Sequence, residues 1–189
     1  MFVFKKKYFF IIESIKDINL KNIKNFGKYN VIYRNKSPEN IEKLKKFRLD
    51  CKNKRIPFFI ANNSNLLKIL KADGLYISAF NKKLNTSHLK NHYKIIGSAH
   101  NIREIKLKKL QGCSEIFFSR LFKTSYQNKK SFLGIIKFNL FKNLTGISLT
   151  PLGGINFDNY KKLRNVDCEN VALSSLIKDK TFNIQIILR

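Results

Sequence analysis

Arg34 and Lys36 stand two positions apart just beyond the β-branched and aromatic run 29–33. Ser98 closes a second apolar run, two residues before His100. Thr124, the pair Gly153 and Gly154, and the pair Ser174 and Ser175 follow three more. Cations, hydroxyls and a glycine turn make a set rich in phosphate donors and poor in acids. Residues 146–156, Gly-Ile-Ser-Leu-Thr-Pro-Leu-Gly-Gly-Ile-Asn, read as a buried strand that stops at the glycine pair and hands over to a helix starting near Asn156. Such a helix start would add free N–H groups and a partial positive charge, which suit a phosphate. The same letters also spell an ordinary Gly-Gly turn with an Asn cap.

These residues need a scaffold that brings strand ends together. Apolar, β-branched and aromatic runs occur at 8–13, 29–33, 58–61, 74–78, 94–99, 115–122, 147–152 and 170–173, which predicts eight strands. Between them lie segments with helical spacing. Ile15, Ile18, Ile23 and Phe26 predict a helix ended by Gly27. Ser37-Pro38-Glu39-Asn40 opens another, carrying Ile41, Leu44, Phe47 and Cys51 on one face. Further helices are expected around 66–70, 101–111, 132–144 and 157–163, with 81–93 only loosely helical. Strand and helix alternating eight times is the pattern of parallel βα units. It predicts an α/β fold, a compact single-domain (β/α)8 TIM barrel over 1–189 with a short final helix. A doubly wound open sheet is the alternative. In a closed barrel the working face is the C-terminal strand ends, where Arg34, Lys36, Asn62, Asn81, Ser98, Thr124, Gly153, Gly154, Ser174 and Ser175 all fall. Loop exposure alone would also make such positions polar.

The 189 residues suffice for one domain with a real core. The formal net charge of +26 makes nucleic acid a conceivable partner. The lysines, however, are spread along a chain dominated by Lys, Asn, Ile and Phe, so compositional drift is the preferred explanation and nucleic acid is disfavoured. Three scattered cysteines, Cys51, Cys113 and Cys168, show no metal spacing and read as reduced thiols of a cytoplasmic protein. No run is long and apolar enough to span a membrane. Residues 8–12 follow Lys5, Lys6 and Lys7 without a small-residue cleavage site, so a first strand is preferred over a signal peptide. His88 and His92 lack a third ligand and read as surface residues. His100, with no evident partner carboxylate, reads as structural.

In order and spacing, several short stretches resemble the thiamine phosphate synthase / TenI family. They are Val31-Ile-Tyr-Arg-Asn-Lys36, Pro57-Phe-Phe-Ile-Ala-Asn62, Lys71-Ala-Asp-Gly-Leu-Tyr-Ile77, Ser98-Ala-His100, Phe118-Ser-Arg-Leu-Phe-Lys-Thr124, Leu152-Gly-Gly-Ile-Asn156 and Val171-Ala-Leu-Ser-Ser175. The resemblance implies a (β/α)8 barrel that joins an aminopyrimidine-methyl diphosphate to a thiazole monophosphate and releases diphosphate. It implies small phosphorylated substrates and Mg2+. On matching positions, Arg34, Lys36 and Ser98 would hold the diphosphate side, and Thr124, Gly153, Gly154, Ser174 and Ser175 the thiazole phosphate. The metal positions would be Asn62 and Asn81.

This chain departs from the family pattern at those two positions, where the family has Asp. Ile32 replaces a Gln, Gln127 stands at the anion-loop Lys with Lys129 and Lys130 nearby, and Arg120 stands where the thiazole-isomerising branch has a His. Magnesium prefers charged oxygens, and two neutral amides are poor substitutes. Three readings stay open: a divergent synthase, a family barrel that binds a phosphorylated ligand without synthase chemistry, and a basic nucleic-acid-binding protein. The first is preferred. The sequence leaves the oligomeric state open.

Overall fold

The eight apolar runs form eight parallel strands that close on themselves: β1 (Lys7–Ile12), β2 (Tyr29–Tyr33), β3 (Phe58–Ala61), β4 (Gly74–Ile77), β5 (Lys94–Ala99), β6 (Glu115–Ser119), β7 (Ser148–Leu152) and β8 (Asn170–Leu173). The computed structural model describes residues 6–22, 27–35, 37, 39–124 and 131–178. Pairing of β1 with β8, Tyr8 opposite Val171 and Phe9 opposite Ala172, closes the barrel and excludes the open doubly wound sheet.

Side chains alternate between the two faces of each strand. Phe9, Ile11, Ile32, Phe59, Tyr76, Ile96, Phe117 and Ala172 fill the barrel interior. Their neighbours, including Phe10, Ile12, Val31, Tyr33, Ile60, Ile77 and Phe118, pack outward as part of the larger core. The same parity sets a polar floor and a polar mouth. On the floor, Glu115 is 3% exposed and accepts hydrogen bonds from Thr150, Asn170 and the Lys94 ammonium. At the C-terminal strand ends the inward alternation continues through Ser98 and Ser119 and, just past the strands, through Arg34, Ser78 and Ser174.

Five α-helices lie among the described residues: α1 (Ile41–Asn53), α2 (Ser64–Ile69), α3 (Ile102–Leu110), α4 (Gly134–Thr145) and α5 (Ser175–Lys178). α1 starts later than Ser37 because the Asn40 side chain caps it, accepting from the N–H groups of Glu42 and Lys43. Leu44, Phe47 and Cys51 are its buried face, as the periodicity predicts.

Several elements differ from expectation. Residues 15–26 do not form one described helix; two 3-10 turns, Ile15–Asp17 and Leu20–Asn22, stand there, and 23–26 lie outside the described residues. The Ser14–Asp17 capping box and the Asn19 side chain, which accepts from Lys21 N–H, take the local N–H groups into turns. β6 stops at Ser119 instead of 122, because Leu121 and Phe122 donate to the carbonyls of Leu152 and Gly153 as the chain turns across β7. Residues 81–93 hold only the 3-10 turn Ser87–Asn91. In α3 the apolar spacing of Ile102, Ile105 and Leu110 predicts a buried face that is only partly right. Ile102 is 41% and Leu110 67% exposed, and the buried residues are Ile105 and Lys108. The three cysteines are free and buried, and burial pushes the thiols of Cys51 and Cys113 up to about 12.

Candidate active site at the barrel mouth

Tyr76 lies below two mouth residues, Arg34 and Ser98, that act on its hydroxyl. It is the inward residue of β4 and is buried. Burial raises the pKa of its hydroxyl, while the nearby Ser98 hydroxyl and Arg34 guanidinium pull it back down. Arg34, two residues past the inward Ile32 of β2, and Ser98, two past the inward Ile96 of β5, share the inward parity of that phenol. Arg34 also pairs with Glu13 beyond β1, at 3.4 Å. Sequence reasoning placed Arg34 and Ser98 in the mouth but missed Tyr76, which reads as core in Leu-Tyr-Ile. Its signal was parity: it lies two positions before Ser78 and so shares that residue's inward face. Lys36 lies outside the described residues, as do Gln127, Lys129 and Lys130.

On the opposite wall stand the glycine turn and its neighbours. Gly153 and Gly154 have φ of +93° and +73°. A Cβ on Gly154 would lie 2.3 Å from the Phe122 carbonyl oxygen and 2.5 Å from that of Lys123. What packs against this glycine is therefore the backbone of the β6–α4 connection, next to Thr124. The Thr124 hydroxyl oxygen is buried with no hydrogen-bond partner among the described residues. Leu152 pairs with Ala172, so Gly154 and Ser174 both lie two residues past the paired level, and Ser175 begins α5. Thr124, Gly153, Gly154, Ser174 and Ser175 thus belong to three adjacent strand ends.

The helix expected near Asn156 is absent. Asn156 makes a turn instead: its side chain accepts from the N–H groups of Asp158 and Asn159, and its carbonyl from Tyr160. A 3-10 turn, Tyr160–Asn165, follows. Those N–H groups are spent within the loop, so the helix contribution to a phosphate site is lost. His100 also differs from expectation. Its Nδ1 lies 3.0 Å from Glu104 Oε2, four residues on, and the same carboxylate oxygen accepts from the His100 N–H. His88 and His92 are exposed, as expected. A separate groove of about 600 Å3 lies beside α4, lined by His100, Arg120, Lys137, Leu140 and Phe141 among others.

The implied metal positions do not fit magnesium. Asn62 Oδ1 already accepts from Ser78 N–H at 3.0 Å, Ser78 Oγ at 2.9 Å and Asn81 Nδ2 at 3.2 Å. Asn81 Oδ1 accepts from Lys83 N–H at 3.1 Å. Both side chains are neutral and their oxygens are occupied by N–H and O–H donors, whereas magnesium takes charged oxygens in a near-octahedral shell. Asn62 and Asn81 do come together, but as an amide pair. Among the described residues no group of three or more His, Cys, Asp or Glu side chains could hold a metal ion.

Comparison with known proteins fits this architecture. A family model described as thiamine monophosphate synthase matches residues 16–177. A thiamine-phosphate synthase of Prochlorococcus marinus is 31% identical over 145 residues, covering 75% of this chain and 42% of the relative. One of Fusobacterium nucleatum is 26% identical over 133 residues, covering 69% and 65%. The chain thus spans less than two thirds of the length of either relative. The solved structure of thiamine phosphate pyrophosphorylase from Pyrococcus furiosus superposes with a TM-score of 0.77 at 16% identity, covering 97% of this chain and 96% of that one, a likeness of fold. Among the described residues no helix is long and apolar enough to cross a membrane.

Proposed function

Because the chain belongs to the thiamine monophosphate synthase family, we propose that its barrel mouth joins an aminopyrimidine-methyl diphosphate to a thiazole monophosphate, releasing diphosphate. The C–O bond between methylene and diphosphate breaks, and its electron pair leaves with diphosphate. The thiazole ring nitrogen supplies the pair for the new C–N bond. No oxidant is needed. Charge develops in two places, on the methylene carbon and on the departing oxygens, so catalysis is largely electrostatic.

The observation that carries this reading is geometric: Arg34 and Ser98 lie two residues past the inward-facing Ile32 and Ile96, on the same inward parity as Tyr76 at the mouth. In the proposed complex Arg34 takes charge from the departing diphosphate, and Ser98 and Tyr76 donate hydrogen bonds to it. Lys36 is proposed to add a second cation on that side. The thiazole phosphate is proposed to sit against Thr124, Gly153, Gly154, Ser174 and Ser175, where the buried Thr124 hydroxyl gains a partner. No step is routed through a metal, since the Asn62–Asn81 pair does not suit one. The small phosphorylated substrates and the three reduced thiols suit a cytoplasmic setting.

Genetic complementation tests the proposal. A strain lacking thiamine phosphate synthase and expressing this chain is expected to grow without added thiamine. Absence of growth with the chain present in soluble form, under conditions where a known synthase restores it, would contradict the proposal. That outcome would favour the second reading, a barrel that binds a phosphorylated ligand without condensation chemistry. The specific observation behind that reading is the replacement of both metal-position carboxylates by amides.

A further inference from the structure

Lys108 occupies a position that helical spacing assigns to the core. It is three residues after Ile105 on α3, and it is fully buried. Its stem lies over β5 at Gly97, where an added Cβ would come within 2.9 Å of Lys108 Cδ. Its ammonium reaches the connection after β4. There Nζ donates to the Ser78 carbonyl, the Asn81 carbonyl and Gln111 Oε1, each at 2.8 Å. Three N–H donors meet three acceptors, so the ammonium is satisfied.

Gln111, also fully buried, completes the clamp. Its Nε2 donates to the carbonyls of Asn81 at 2.9 Å and Lys83 at 2.8 Å. On the mouth side of the same loop, Asn62 Oδ1 collects Ser78 N–H, Ser78 Oγ and Asn81 Nδ2. The loop carbonyls thus surround a covalently attached cation, while its side chains are cross-linked to the end of β3. A metal bridging two carboxylates at positions 62 and 81 would make the same connection between β3 and the β4 loop.

We infer that the Asn62–Ser78–Asn81 network, held from behind by Lys108 and Gln111, replaces a bound metal as the tie between these strand ends, and that this wall of the mouth has no resident magnesium ion. Lys108 is a positioning residue here. The inference concerns the same mouth as the proposed condensation but does not require that reaction, because its readouts are metal binding and local opening.

Thermal unfolding with magnesium alone as the probe tests it. The wild-type midpoint should be the same in magnesium and in chelator at matched ionic strength. In Asn62→Asp/Asn81→Asp, two carboxylates face each other and a cation can bridge them. That variant should gain roughly 5–10 °C at saturating magnesium. A saturable magnesium shift in the wild type, or no gain in the double variant, would overturn the inference.

A second variant does not depend on the first one folding. In Lys108→Met the amide exchange of Ser78, Asn81 and Lys83 should speed up by about tenfold or more, while that of β6 stays unchanged. Wild-type exchange rates at those three amides would also overturn it.

Discussion

Replacing Arg34 by methionine is expected to lower the rate of thiamine phosphate formation by about two to three orders of magnitude, the usual cost of removing one charge-stabilising donor from a preorganised site. The guanidinium is proposed to meet charge that is largest when the C–O bond is breaking, so kcat should fall along with kcat/KM. The fold should tolerate the change. Arg34 pairs with Glu13 at 3.4 Å, and the two side chains are 36% and 49% exposed. An exposed pair of this kind contributes about 0–1 kcal/mol. Arg34→Lys keeps the charge but loses the planar fork and should recover only part of the rate. Steady-state kinetics beside a melting curve check this. A rate within about threefold of wild type would remove Arg34 from the site, set against the losses such donors cause.

Gly154→Ala should have the largest effect on stability. With φ at +73°, any side chain there is strained. Its Cβ would also press into the carbonyl oxygens of Phe122 and Lys123, 2.3 and 2.5 Å away. Strain and overlap together should cost about 3 kcal/mol, a fall in melting temperature of roughly 6–12 °C for a chain of this size. Gly153→Ala is the internal control. Its φ of +93° carries similar strain, but the nearest atom, the side-chain carbon Arg120 Cγ, is farther off at 3.1 Å. It should therefore lose less. Equal melting temperatures for the two variants would show that the close approach at Gly154 is not what requires glycine there.

The glycine turn also shows where sequence reading stops. Its position after a buried strand was legible in residues 146–156. What packs against it was not. The partner is the chain's own connection after β6, far away in sequence, and only barrel closure brings the two together. The strands themselves were legible because alternation and β-branched content carry over directly into parallel pairing. Arg34 and Ser98 were legible as mouth residues for the same reason.

Tyr76 was hidden because a tyrosine within an apolar run looks like filling. Its role depends on partners from β2 and β5. Lys108 was hidden because a lysine on a basic helix looks solvated, although its place three residues after Ile105 carried the signal. Residues 15–22 misled because apolar spacing suggested a helix, while Ser14, Asp17 and Asn19 offered the backbone local alternatives. The metal positions were legible in the opposite sense. Two Asn residues in place of Asp already argued against magnesium, and the structure adds that each amide oxygen has N–H or O–H donors of its own.

The most direct measurement mixes the purified protein with the aminopyrimidine-methyl diphosphate and the thiazole phosphate, in magnesium and in chelator, and quantifies thiamine phosphate and diphosphate together. Condensation at this mouth predicts the two products in equal amounts, with the rate collapsing in Arg34→Met. Neither product under either condition, while thiazole phosphate still binds saturably, would contradict it.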